Sequence, residues 1–237
     1  MLKVLSLMKR KEGMSFDEFR DWALNKHPEL ARVIRSFPLP IEPGVFHCGY
    51  HSADSFGAAS YLVQRPEGNV LVDSPRYNAH LAKSLEDMGG VRYLFLTHRD
   101  DVADHANWAA HFAAERILHR DDRTRGTASV EHWLGADAET IVPGVVAIPT
   151  PGHTRGSACL LVDDAILFTG DTLAWSPRLG HLYAFRDACW YSWAELEKSV
   201  RHLATYSFRR VLPAHGRPIS LDVASMAESM HACLAWM

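Results

Sequence analysis

At 237 residues, with 47% hydrophobic and 22% charged residues, the chain has the composition of an ordinary globular protein of about one large domain. That excludes a disordered, collagen-like or coiled-coil chain, and a net charge of −3 supplies no basic surplus for nucleic acid. No apolar run approaches the ~20 residues of a membrane span, and four cysteines without a CxxC pair argue against a disulfide framework and suit a cytoplasmic setting.

The opening 13 residues have too short an apolar stretch, and no small-residue cleavage site, for a secretory signal. A short strand is expected over residues 3–8. Ser15-Phe16-Asp17-Glu18 reads as a capping box, opening a helix with Phe19, Trp22 and Ala23 on one face. Pro28 interrupts or restarts that helix, which then carries Leu30, Val33 and Ile34. The proline-rich stretch 37–44 reads as a linker. Two strands of a hairpin follow over 58–64 and 69–73, around Arg65-Pro66-Glu67-Gly68. A helix with Leu81, Leu85 and Met88 stops at Gly89-Gly90. Next come a strand over 91–96, a helix over 104–115, and strands over 117–119, 145–148, 159–162 and 166–168. Ser192-Trp193-Ala194-Glu195 opens a helix with Leu196, Val200 and Leu203 inward. A last strand over 210–212 precedes a C-terminal helix. The mixture is α/β, and the early hairpin argues against a purely parallel sheet.

Fourteen histidines are the one compositional excess. Four segments share an arrangement in which a strand ends and His or Asp follows: LFLTHRDDVADH (94–105), IPTPGHT (148–154), LFTGD (167–171) and VLPAHG (211–216). Residues just past strand ends sit in loops at one sheet edge, where a rigid scaffold converges them. They offer His98, Asp104, His105, His153, Asp171 and His215, with Asp100 and Asp101 beside them. Imidazoles with carboxylates form a borderline N/O donor set suited to Zn, Fe or Mn. The surplus of donors over one tetrahedral ion favours two metals.

These segments resemble the ordered signature of the metallo-β-lactamase superfamily, the group that includes glyoxalase II-like hydrolases: a Thr-His-x-His-x-Asp-His loop, then Gly-His, Gly-Asp and Gly-His-Gly. The resemblance covers roughly residues 45–237 and implies a four-layer αβ/βα sandwich with metals at one edge. It implies that His98 and His153 serve a first ion, that Asp104, His105 and His215 serve a second, and that Asp171 bridges them. Asp73, ending NVLVDSP, is similar to the early aspartate that buttresses the metal loops. Two divalent transition metals follow, zinc first, with iron or manganese as alternatives.

The loop departs from the family. Five residues separate His98 from Asp104-His105 where the family has three, and the second histidine is missing. Asp101 then either caps the following helix or turns inward as a metal ligand. The ligand role is expected, because an open position would leave His98 and His153 holding an ion weakly. In segment 172–191, Arg178, His181, Tyr183, Arg186, Trp190 and Tyr191 are candidates to border a substrate pocket, as is the stretch 51–56; core packing is the alternative for each.

The first 36 residues resemble the opening of an EthD-type α+β domain, with its Lys-Arg-x-x-Gly turn. Their apolar stripe is expected to dock on the rest of the chain or to mediate a homodimer. The metallo-β-lactamase resemblance over residues 45–237 implies a hydrolase using a metal-bound hydroxide on a small ester, thioester or lactone, with Asp104 and Asp171 positioning that hydroxide. One alternative is an iron-dependent oxidation of a small thiol or persulfide through His98, His153 and Asp171. Another is a non-catalytic metal-binding descendant.

Overall fold

The computed structural model describes residues 36–50 and 57–237. The N-terminal strand and helices, the EthD-like resemblance and the stretch 51–56 lie outside the described residues.

A seven-stranded sheet runs in the order of the chain: β1 (Leu39–Glu42), β2 (Val45–Tyr50), β3 (Ala59–Val63), β4 (Val70–Val72), β5 (Tyr93–Phe95), β6 (Glu115–His119) and β7 (His132–Leu134). Strands β1 to β4 are antiparallel neighbours, whereas β4 to β7 pair in parallel. The second sheet holds β8 (Glu139–Val142), β9 (Val145–Pro149), β10 (Ala158–Val162), β11 (Ile166–Gly170), β14 (Arg210–Pro213) and β15 (Ile219–Ser220), in the order β15-β14-β11-β10-β9-β8. A separate ribbon pairs β12 (Ala174–Ser176) with β13 (His181–Tyr183).

Strand alternation sorts these residues into four layers, because successive side chains point to opposite faces. From β4, Val70 and Val72 enter the core between the sheets with Leu160, Val162 and Phe168. Leu71 faces the other way, toward Leu81 and Leu85 of α1 (Ala79–Asp87) and Trp108 of α2 (His105–Phe112). From β10, Cys159 and Leu161 face Leu196 and Val200 of α3 (Trp193–Leu203) and Met226 and Met230 of α4 (Val223–Trp236). The result is the expected αβ/βα sandwich, in which buried apolar area holds the layers together.

Local rules fix the helix starts. The Asn78 side chain accepts from the Leu81 amide, Ser192 from Glu195 and Asp222 from Ser225, which satisfies amides that have no partner within the helix.

Two expectations are corrected. Four residues of the 37–44 stretch form β1 rather than a linker; Pro40 is tolerated because β1 is an edge strand. The helix expected over 104–115 stops at Phe112, since Ala113 turns left-handed (φ 52°) and Glu115 already belongs to β6.

Strands β4, β5 and β6 run one way in the first sheet, and β9, β11 and β14 share a direction in the second. The loops carrying Asp73, His98, His153, Asp171 and His215 therefore all leave the C-terminal ends of strands. At this edge the sheets are tied by Ala158 N–H to the Thr97 carbonyl (2.8 Å) and Ala59 N–H to the Ala214 carbonyl (2.8 Å).

Candidate metal centre

His98, His153 and Asp171 form one group of prospective ligands, and Asp101, Asp171 and His215 form another; within each, one donor atom per residue lies within 4.8 Å of the others. Asp171 belongs to both groups. His98 and His153 meet edge to face, with ring centroids 4.7 Å apart. His153 Nε2 lies 3.7 Å from Asp171 Oδ2 and 3.5 Å from Asp100 Oδ2. Asp101 Oδ2 lies 3.6 Å from His98 Nε2 and 3.8 Å from His215 Nε2. His98, Asp101 and His153 are buried, while His215 and Asp100 are about a third exposed and form the mouth.

Hydrogen bonds orient the imidazoles. Asp73 accepts from the Thr97 amide (2.8 Å) and hydroxyl (3.0 Å). The Thr97 hydroxyl thus spends its only proton on Asp73, so it accepts from His98 Nδ1 (3.0 Å). That chain assigns the Nδ1–H tautomer and leaves the Nε2 lone pair facing inward. His153 likewise donates from Nδ1 to the Ala188 carbonyl. His98 Nε2, His153 Nε2 and Asp171 Oδ1 are buried and make no hydrogen bond. Buried polar atoms are seldom left so, and the three side chains that carry them, grouped with donor atoms within 4.8 Å of one another, match the donor set of a cation.

Gly170 allows this approach. Its φ is +48°, and a Cβ there would stand 2.6 Å from Thr97 Oγ1 and 2.7 Å from Thr97 Cβ.

The electrostatics also favour a cation. Burial, with the charges of Asp171, Asp73 and Asp100 adding, pushes the Asp101 carboxyl up to about 9. Burial raises Asp73 to about 7, against the pull of its Thr97 hydrogen bonds. Burial keeps His98 below its ordinary value. Burial also opposes protonation of His153, but Asp100 and Asp171 outweigh it and raise its pKa. The His153 imidazole in turn holds Asp100 below the usual carboxylate range. The charge of Asp73 and Asp101, penalised by burial and by neighbouring carboxylates, is the kind a bound positive ion relieves.

Two residues expected at the metals stand elsewhere. Asp104 Oδ2 accepts from the Tyr77 amide (3.0 Å) and Oδ1 from the Asn107 side chain (3.2 Å). His105 contacts the Gly126 carbonyl through Nε2 and the Arg116 guanidinium through Nδ1, both at 3.3 Å; burial and that guanidinium lower its pKa. With two extra residues in the loop, Asp104 and His105 lie away from the cluster, and the pair Asp100-Asp101 faces it instead. Asp101 is not a helix cap, because α2 starts after Asp104. Sequence reading missed Asp122 altogether, although it follows β6 as the other carboxylates follow their strands.

The sequence profile of the metallo-beta-lactamase superfamily matches residues 45–226. The chain is 26% identical over 133 residues to the uncharacterized protein YmaE of Bacillus subtilis (strain 168), covering 49% of this chain and 48% of YmaE. It is 24% identical over 193 residues to the Beta-lactamase-like protein 2 homolog of Drosophila melanogaster, covering 72% of this chain and 62% of the relative. The chain thus spans less than two thirds of the length of these curated relatives. Its fold is similar to that of the metallo-beta-lactamase FIM-1 from Pseudomonas aeruginosa, solved in a mono-zinc form, at a TM-score of 0.61, 17% identity and coverage of 83% and 93% of the two chains. The chain belongs to the metallo-beta-lactamase superfamily, whose members are in general metal-dependent hydrolases.

Proposed function

We propose that the chain is a metal-dependent hydrolase of small ester, thioester or lactone substrates, with two ion positions that share Asp171. The observation that carries this reading is the grouping of His98, His153 and Asp171, whose donor atoms lie within 4.8 Å of one another and each of which keeps a buried polar atom without a hydrogen bond, in a superfamily of metal-dependent hydrolases. His98, His153 and Asp171 would hold one ion, with Asp100 beside His153; Asp101, Asp171 and His215 would hold the other. The N/O donor set suits zinc, iron or manganese, and the mono-zinc form of the structural neighbour FIM-1 supports zinc. When bound, such ions supply Lewis acidity toward a carbonyl and activate water near neutral pH.

The chain's own residues do the rest. Asp73 and Thr97 fix the ring of His98, and the Ala188 carbonyl fixes that of His153, so neither imidazole has to reorganise when the site is used. Trp190, 65% exposed, lies with its ring centroid 6.3 Å from that of His153, and the Arg155 guanidinium covers the Tyr191 ring at 5.0 Å. The exposed Trp190 ring beside His153 suits the apolar part of a small acyl compound. A panel of chromogenic esters, thioesters and lactones tests the reading: hydrolysis should disappear with chelator and return with zinc. A fully metal-loaded protein that turns over none of them would overturn it.

His98, His153 and Asp171 also make the two-histidine, one-carboxylate set used by non-haem iron oxygenases. Oxygen uptake by iron-loaded protein with a small thiol, and no hydrolysis, would favour that chemistry instead.

A further inference from the structure

We propose that Asp122 is the positioning residue that locks the His98 and His153 loops into one rigid unit, setting the metal centre from behind. Asp122 lies in the short 3-10 turn Arg120–Asp122 after β6 and is fully buried, at 0% exposure. Its Oδ2 accepts from the Arg99 amide (3.0 Å), next to His98, and from the Thr154 hydroxyl (2.6 Å), next to His153. Its Oδ1 accepts from the Gly156 amide (2.9 Å). One side chain therefore holds the backbone next to His98 and, through the Thr154 hydroxyl and the Gly156 amide, the loop that carries His153.

The surroundings are built around it. Ser157 Oγ accepts from the Thr154 amide (2.9 Å) and lies 2.8 Å from Thr154 Oγ1, an arrangement in which the Ser157 proton goes to Thr154 and frees the Thr154 proton for Asp122. A Cβ on Gly156 would stand 2.6 Å from the Asp122 nitrogen and 2.8 Å from its Cβ and Cγ, so a larger residue there would expel the carboxyl. Neither Asp101 nor His215 takes part in these bonds. The bonds bear on the loops of His98 and His153 and leave the His215 loop untouched, and outer partners of this kind typically govern metal affinity about 10- to 100-fold.

This inference rests on the metal-centre reading, and zinc titration of the full chain tests the two separately. Metal-free wild type, Asp122→Asn and Thr154→Val are titrated with zinc against a competing chelator, with amide exchange at Arg99 and Gly156 followed in the metal-free forms. Asp122→Asn keeps the shape but loses acceptor capacity. It should weaken one of the two zinc-binding steps by about 10- to 100-fold, leave the other near wild type and speed exchange at both amides. Thr154→Val should do the same to a smaller extent, and carries the comparison if the Asn variant does not fold. Unchanged zinc affinities in a variant with a lowered melting temperature would show that Asp122 serves stability alone and overturn the proposal, as would equal weakening of both steps. Wild type that takes up no zinc would instead overturn the metal-centre reading, and this inference with it.

Discussion

Asp101 Oδ2 stands 3.8 Å from Nε2 of His215, joining the loop after β5 in one sheet to the loop after β14 in the other. The carboxyl does not cap α2, which starts four residues later. Asp101→Asn should therefore lower metal affinity about tenfold or more and leave the metal-free melting temperature unchanged or raised, because a neutral amide replaces a carboxyl whose charge burial penalises. Isothermal titration and a thermal melt of the same sample check both parts.

His105 packs on Arg116 and the Gly126 carbonyl rather than on the cluster. His105→Ala should lower stability by about 1–3 kcal/mol, as removal of a buried hydrogen-bonding group does, while metal content stays at the wild-type value. A variant that loses metal would restore His105 as a ligand.

Glu131 carries a pH signature away from the cluster. Hydrogen bonding and charge from Arg116 lower its pKa from 4.5 to about 2. Because the folded value lies below the unfolded one, its stabilisation is fully present above pH 4.5 and is lost as pH falls toward 2. Glu131→Gln should cost about 1 kcal/mol at neutral pH, a modest figure because the carboxylate is half exposed. The gap to wild type should close below pH 4 in a denaturant titration series. A gap independent of pH would mean that Glu131 acts through packing.

Gly170→Ala should destabilise by about 2 kcal/mol or more, combining a left-handed φ with a clash against Thr97. It should also disturb His98 through the Thr97 hydroxyl. Chemical denaturation and metal titration would detect the two effects.

The sandwich was legible where strands are buried on both faces. Val70–Val72 and Ala158–Val162 read as continuous apolar runs because one side packs on the other sheet and the opposite side on helices. Strand β1 was hidden by its prolines, and β12 and β13, of three residues each, are too short to show a period. Strand ends at one edge pointed to His98, His153, Asp171 and His215, with Asp100 and Asp101 beside them, and the gap in the family motif pointed to Asp101. Asp104 and His105 misled because adjacency in sequence does not say which side of a two-residue insertion turns inward. Asp122 follows β6 as the other carboxylates follow their strands, but its partners, the Arg99 and Gly156 amides and the Thr154 hydroxyl, lie on distant loops that no local pattern links to it.

Metal analysis of the full chain, purified without chelator and titrated with zinc, tests the shared-Asp171 centre most directly. About two ions per chain are expected in wild type, with His153→Ala and His215→Ala each losing about one while the fold persists. A wild-type chain that retains none and gains none on titration would contradict the metal centre itself.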